Sequence, residues 1–199
     1  MALISASSNA AGNTRGYAAA RWTATVVAGS VLVAICAHIS VPLFFTPVPM
    51  TLQPFAVLLL GLLMSPSAAF AALALYLVEG ASGLPVFTPQ GPGGILQLMG
   101  PTGGYLMSYP FVAALVSVMY QRLRIGSFVK GLVAAGVGDL MILACGTDWL
   151  AIVTHQHISN LLSLSVVPFL PGDALKVCAA AAIAAGWLRV RRMEETVNR

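Results

Sequence analysis

Charge is what this sequence has least of. Only 8% of its 199 residues are Asp, Glu, Lys or Arg, against about 25% in an average soluble domain. A folded surface this poor in charge has lipid, not water, as its main solvent. Hydrophobic residues make up 58% of the chain, and the class that fits is an all-α polytopic membrane protein, since helices satisfy their own backbone in hydrocarbon. The net charge of +4 is then a matter of topology and points to no nucleic acid. Cysteine is scarce as well. Cys36, Cys145 and Cys178 each sit in an apolar segment, which excludes a disulfide framework and reads as three buried small hydrophobes. Metal-ligand spacing is missing too. His155-Gln156-His157 comes nearest, without acidic or thiol company. There is no Gly-x-x-x-x-Gly-Lys phosphate loop, so the chain does not itself hydrolyse ATP by that route.

What the chain does have is a glycine-rich stretch from Gly80 to Tyr105, with eight Gly and four Pro. That density of breakers predicts irregular backbone. Apolar segments flank it on both sides. Irregular backbone at membrane depth is tolerated only where it is packed in protein or lines a cavity, and glycine lets backbone N–H groups approach a ligand. The stretch is therefore expected to be one wall of a binding site.

Six spans are expected around it. Residues 1–17 lack the apolar core and cleavage pattern of a signal peptide and read as a flexible cytoplasmic tail. Residues 18–199 read as a single six-helix membrane domain. The first span covers about 22–39. Ala20, Ala24 and Ala28 recur at intervals of four near its start, a small-residue stripe that admits another helix closely in lipid. A kinked apolar connection with Pro42, Pro47 and Pro49 follows. The next spans are about 51–64 and 68–79, both short against about 30 Å of hydrocarbon. After the glycine-rich stretch come spans at about 105–120, 131–149 and 172–188, the last two joined by a mixed connection that contains Asn160.

The basic residues set the orientation. Nine of the ten lie in the amino-terminal tail (Arg15, Arg21), the 121–130 loop (Arg122, Arg124, Lys130) or the carboxy-terminal tail (Arg189, Arg191, Arg192, Arg199). The positive-inside rule makes all three regions cytoplasmic. Both termini inside and one middle loop inside require an even count, and six spans satisfy it. The glycine-rich stretch then lies on the outer side.

The tenth is Lys176, one turn into the last span. An intramembrane cation costs several kcal/mol unless paired and usually marks function. Asp173 lies three residues earlier, on the same helix face. The two read either as a self-satisfied pair at a helix start or as a polar clamp on a ligand. Lys176 offers donors and Asp173 offers acceptors. Among the other polar residues, Glu79 is expected to snorkel to water and Asp139 to pair inside the bundle. Gln90 and Gln97 lie in the glycine-rich stretch, as ligand contacts or as solvated surface. Tyr105 stands at a span start, where an aromatic belt accounts for it. His155 and His157 are expected to be exposed. One enzyme reading arises. Gly80-Ala81-Ser82-Gly83 matches the Gly-x-Ser-Gly pattern of rhomboid intramembrane proteases, but Ser82 does not open a helix and the one histidine inside a span is His38.

One further pattern is more specific. Tyr76-Leu77 precedes Gly80, and Gly83-Leu84-Pro85-Val86-Phe87 follows. Then come Gly93-Gly94, Gly100-Pro101-Thr102-Gly103-Gly104-Tyr105-Leu106, and Pro168-Phe169-Leu170-Pro171-Gly172-Asp173 with Lys176. In order and combination these resemble the BioY family, the biotin-binding S components of energy-coupling factor transporters. The resemblance implies a six-helix S component, no enzyme activity, no cofactor, and biotin as the transported ligand. It implies docking to a transmembrane T component driven by two ATPases in a bacterial inner membrane. Ala20, Ala24 and Ala28 would meet the T component. Asp173 and Lys176 would contact biotin, with Gln90, Tyr105, Gly103 and Gly104 as further site residues. Which end of biotin meets Lys176 stays open; a lone cation suits the carboxylate. An S component for another small vitamin is the alternative within the same architecture.

Overall fold

The computed structural model describes residues 2–157, 161–162 and 166–197. The first helix, α1, runs Ala2–His38. A two-rung antiparallel ribbon follows, β1 at Ser40–Val41 and β2 at Met50–Thr51, with Ser40 opposite Thr51 and Val41 opposite Met50. Then come α2 (Gln53–Leu63), α3 (Pro66–Ala81), α4 (Gly94–Met99), α5 (Gly103–Arg122), α6 (Ser127–Thr154) and α7 (Leu170–Val197).

Several boundaries correct the sequence reading. Residues 2–17, expected as a flexible tail, continue α1 as helix. The segment is rich in alanine, the best helix former, and holds no proline. The 80–105 stretch, expected to be wholly irregular, contains α4. Its run Ile95-Leu96-Gln97-Leu98-Met99 is free of breakers, and Gly93 and Gly94 turn the chain into it at positive φ (68° and 59°), which glycine adopts without steric cost. The connection after α1 is organised by the ribbon, because its prolines fall between the strands and leave the pairing residues free. Part of the connection between α6 and α7, with Asn160, lies outside the described residues. Cys36 is buried as expected, whereas Cys145 and Cys178 are exposed. A small apolar side chain is as content on an outward face in lipid as in a core.

Among the described residues, three helical segments are long and apolar enough to cross a membrane: Gly16–His38, α5 and α6. Proline starts both α2 and α3 in their first turns, where its missing N–H costs nothing. At 1.5 Å per residue α2 spans only about 17 Å and α3 about 24 Å. The shorter of the two is the centre of the bundle. α2 touches α1, α3, α5, α6 and α7, and Ala56, Val57 and Leu58 on it are fully buried. The long helices instead present apolar side chains outward: Val27, Val31 and Ile35 on α1, Phe111 on α5, Leu140 on α6 and Trp187 on α7 are exposed. That is the inverse of a soluble bundle.

Glycine sets the helix spacing. A Cβ on Gly61 of α2 would stand 2.8 Å from the Ala113 carbonyl oxygen of α5, and one on Gly138 of α6 would stand 2.4 Å from Val116 of α5. At the start of α5, a Cβ on Gly104 would fall 2.2 Å from the Trp149 Cβ and 2.7 Å from the Cys145 carbonyl oxygen of α6. Close backbone approach is what holds helices together in lipid. Gly104→Val should therefore cost about 1–3 kcal/mol, read as a lower thermal-unfolding midpoint in detergent. An unchanged midpoint would show that α5 and α6 have slack there.

Candidate functional site

Among the described residues, the buried side chains of Gln53, Thr88, Gln97, Asp139, Asp173 and Lys176 all line one cavity. Its walls come from the end of the ribbon and the start of α2, from the glycine-rich stretch, and from α5, α6 and α7. Among the described residues, neither α1 nor α3 contributes a lining side chain.

The start of α7 supplies the charged pair. Pro171 and Gly172 lie in the first turn and Asp173 follows, so its carboxylate sits at the positive end of the helix dipole. Lys176 Nζ donates to Asp173 Oδ1 at 2.8 Å. Both side chains are buried, with 9% of Lys176 and 3% of Asp173 exposed. Both also line the cavity. The pair is thus self-bonded and turned towards the empty space at the same time. Three donors on one ammonium leave Lys176 further hydrogen bonds to give, and the second oxygen of Asp173 can still accept.

Facing walls carry neutral groups. Gln53, in the first turn of α2, is 3% exposed. Its Nε2 donates to the Tyr76 hydroxyl at 2.6 Å, and its Oε1 accepts from Thr51 Oγ1 at 3.1 Å. Tyr76 is fully buried and its ring meets Phe87 edge-on at 5.3 Å. Phe87 in turn lies over Gly80, where a Cβ would fall 2.1 Å from the ring. That contact gives the Gly80 and Phe87 positions of the motif their physical sense.

Gln97 is buried, not solvated loop surface. Its Oε1 accepts from the Gly93 backbone at 3.2 Å, and its Nε2 donates to Thr102 Oγ1 at 3.1 Å. Gln97, Thr88 and Thr102 all line the cavity. The glycine-rich stretch is tied to α6 by Trp149, whose Nε1 donates to the Gly100 carbonyl at 2.9 Å. Tyr105 lines the cavity and packs its ring against Gly146 of α6. Asp139 of α6, read from sequence as a bundle-pairing group, lines the cavity as well and is 6% exposed.

Three of the anticipated site residues stand elsewhere. Gln90 is exposed and lies outside the cavity wall. Its Oε1 accepts from Ser40 Oγ at 2.8 Å and from Thr88 Oγ1. Its flanking prolines turn it back to the ribbon, and it orients Thr88, which does line the site. Gly103 and Gly104 are buried but do not line the cavity. A Cβ on Gly103 would fall 1.9 Å from the Leu98 carbonyl oxygen. These two glycines set helix packing, and the pattern that made them candidates marks close approach of backbone to backbone.

The remaining candidates also have places. Glu79, expected to snorkel to water, is half-buried and accepts from Ser30 Oγ of α1. His155 and His157 are exposed, as expected. Ser82 Oγ donates to the Glu79 carbonyl at 2.7 Å, while His38 Nδ1 is bonded to the Ala34 carbonyl oxygen at 2.8 Å. Ser82, just past the end of α3, and His38, at the end of α1, are thus each bonded to a nearby backbone carbonyl, with no Ser82–His38 hydrogen bond among the described residues. Ala20, Ala24 and Ala28 are all exposed on α1.

This architecture and sequence have close counterparts. Residues 8–193 match the BioY family. The chain is 36% identical over 163 residues to the biotin transporter BioY of Thermotoga maritima, covering 82% of this chain and 91% of that protein. It is 35% identical over 153 residues to the probable biotin transporter BioY of Pyrococcus horikoshii, covering 77% and 87%. In three dimensions it matches the crystal structure of the S-component for biotin from an ECF-type ABC transporter. That match has a TM-score of 0.80 at 23% identity and covers 88% of this chain and 93% of the other. The resemblance carried by the glycine-rich stretch and the α7 motif thus extends over nearly the whole chain, and this chain belongs to the BioY family.

Proposed function

We propose that this chain is the high-affinity biotin-capturing subunit of an energy-coupling factor transporter. It is a six-span protein of a bacterial inner membrane with both termini in the cytoplasm. The observation that carries the reading is the buried Asp173–Lys176 pair lining a cavity otherwise walled by apolar and neutral polar side chains. A buried ion pair is weak evidence for stability, because well-packed apolar residues would do as well. Its value lies in what it offers a ligand. Biotin has an apolar bicyclic body, a ureido group and a valerate carboxylate. A cavity mixing Tyr109, Ile142 and Leu143 with Gln53, Gln97 and the α7 pair has the composition such a molecule requires. The subunit works as a binding component and not as an enzyme, and biotin is its cargo, with no cofactor.

Transport would come from partners. The exposed stripe of Ala20, Ala24 and Ala28 on α1 offers a smooth face for a helix of a T component, which two cytoplasmic ATPases drive. Nine of the ten basic residues lie near the amino-terminal end, around the α5–α6 connection or near the carboxy-terminal end, and they support the orientation.

Calorimetric titration of the detergent-purified protein with biotin tests the site. Lys176→Ala and Asp173→Asn should each weaken binding tenfold or more, about 1.4 kcal/mol. Full affinity in both variants would remove the α7 pair from the site. Docking has a separate test. Ala24→Trp should bind biotin as the native chain does yet fail to co-purify with a co-expressed T component, and unchanged assembly would refute the α1 interface.

A further inference from the structure

One acidic group stands at the depth of a candidate span yet outside the cavity. Glu79, in the last turn of α3, accepts a hydrogen bond from Ser30 Oγ of α1. Ser30 is fully buried and belongs to Gly16–His38, a segment long and apolar enough to cross a membrane. A carboxylate at that depth is expensive unless it is paired. One hydroxyl supplies one hydrogen bond, whereas a carboxylate can accept several. Among the described residues no other hydrogen bond and no ion pair reaches the Glu79 side chain. His38 does not supply one. It stands about 12 Å beyond Ser30 along the helix axis, and its Nδ1 is bonded to the Ala34 carbonyl oxygen.

Glu79 also lines a groove that runs along α1. Val31, Ile35 and Ile39 of α1 form one wall, and Leu84 and Val86 of the glycine-rich stretch form the other. The three α1 residues and Leu84 are exposed. No Lys or Arg is among the lining residues. At about 100° per residue, Ala20, Ala24, Ala28, Val31 and Ile35 fall within an arc of about 80° on the helix. The alanine stripe and the groove are thus one continuous face of α1. A helix that seats on the alanines and runs along α1 reaches the groove, where its side chains meet apolar walls with an acid set into them. Acyl chains of lipid would cover those walls and leave the carboxylate unmet.

We propose that the groove is an interaction surface for a transmembrane helix of the partner that seats on the alanine stripe, and that Glu79 receives a lysine or arginine side chain of that helix. The apolar walls take the stem of the side chain and the carboxylate takes its charged head. This rests on the reading of the chain as a transport subunit docked through α1. It goes beyond that reading in naming a second contact and the charge the partner must bring to it.

The test co-expresses the full chain with its T component and compares the native chain with Glu79→Gln and Ile35→Trp. Glutamine keeps the shape of the side chain and a carbonyl to accept from Ser30, and removes the charge alone. Tryptophan at 35 fills the groove from an exposed position, so the packing of the bundle is left as it is. Three quantities are measured in detergent: the unfolding midpoint and the biotin affinity of the isolated chain, and the amount of T component that co-purifies. Both variants should keep the native midpoint and bind biotin as the native chain does. Each should retain at least tenfold less T component, since removing one partner of a desolvated charge pair leaves the other buried and unpaired. Native-level assembly of either variant would overturn the proposal, and so would a lower midpoint in Glu79→Gln, which would make Glu79 a structural residue. Native mass spectrometry of the isolated chain covers the other occupant. A phospholipid held by the native chain and lost from Glu79→Gln, with assembly unchanged, would give the groove to lipid and overturn the partner contact. No binding of biotin by the native chain would overturn the functional reading itself, and this inference with it.

Discussion

In hydrocarbon a polar group has no water to fall back on, and each one must be satisfied within the protein or by what the protein holds. The arrangement of this bundle follows from that constraint. Gln53 and Tyr76 satisfy each other between α2 and α3, Trp149 satisfies the Gly100 carbonyl, and Gln97 bridges Gly93 and Thr102. Each bond also fixes a wall of the cavity relative to its neighbour. The irregular stretch between α3 and α5 persists because its polar groups are closed this way and by backbone turns such as Leu84 N to Glu79 O at 3.1 Å. Among the lining side chains, the acidic and basic ones, Asp139, Asp173 and Lys176, come from α6 and α7.

The shortness of α2 is what makes room for the cavity. A full-length helix at the centre of the bundle would fill the space with side chains from one face of the membrane to the other. Eleven residues do not. α2 begins at Gln53, directly after the ribbon, and Pro54 fixes its first turn. The prolines of the 42–49 segment keep the chain from extending the helix backward. The volume that helix would have occupied is the cavity, and Val48, Pro49 and Thr51 close one side of it. What looks from sequence like two weak spans is in fact the device that places an aperture inside a closely packed bundle.

Legibility in the sequence followed the length scale of the interaction. The α5, α6 and α7 helices were readable because each is a sustained apolar segment bounded by breakers or charge, and Lys176 was readable because a lone intramembrane cation stands out in one dimension. Asp173 came with it at helical spacing. Asp139 is equally conspicuous in sequence, amid apolar and glycine residues, but its meaning depends on which way α6 faces, and only packing decides that. Gln90 and Gln97 could not be told apart by composition. Both are glutamines among glycines, yet the α4 turn buries one while the prolines beside the other hold it against Ser40. Gly103 and Gly104 illustrate the reverse confusion. A glycine that admits a ligand and a glycine that admits a tryptophan have the same letter, and only the 2.2 Å contact with Trp149 distinguishes them.

The separation between the cavity and the alanine stripe is the last consequence of this layout. Among the described residues, the cavity is lined without any side chain from α1. That helix packs on α2 and α3 and leaves Ala20, Ala24 and Ala28 exposed on its other side. Between the alanine stripe and the polar cluster lies α2, which touches α1 on one side and α5, α6 and α7 on the other. A partner helix seated on α1 would therefore act on the cavity only by moving α2 or the ribbon that follows α1. The ribbon is joined to both. It continues α1 at Ser40, pairs Ser40 with Thr51, and Thr51 holds the amide of Gln53 in the cavity wall. A displacement of α1 thus reaches the ligand through a covalent neighbour and two hydrogen bonds, and its amplitude at the site is set by how stiff that short ribbon is.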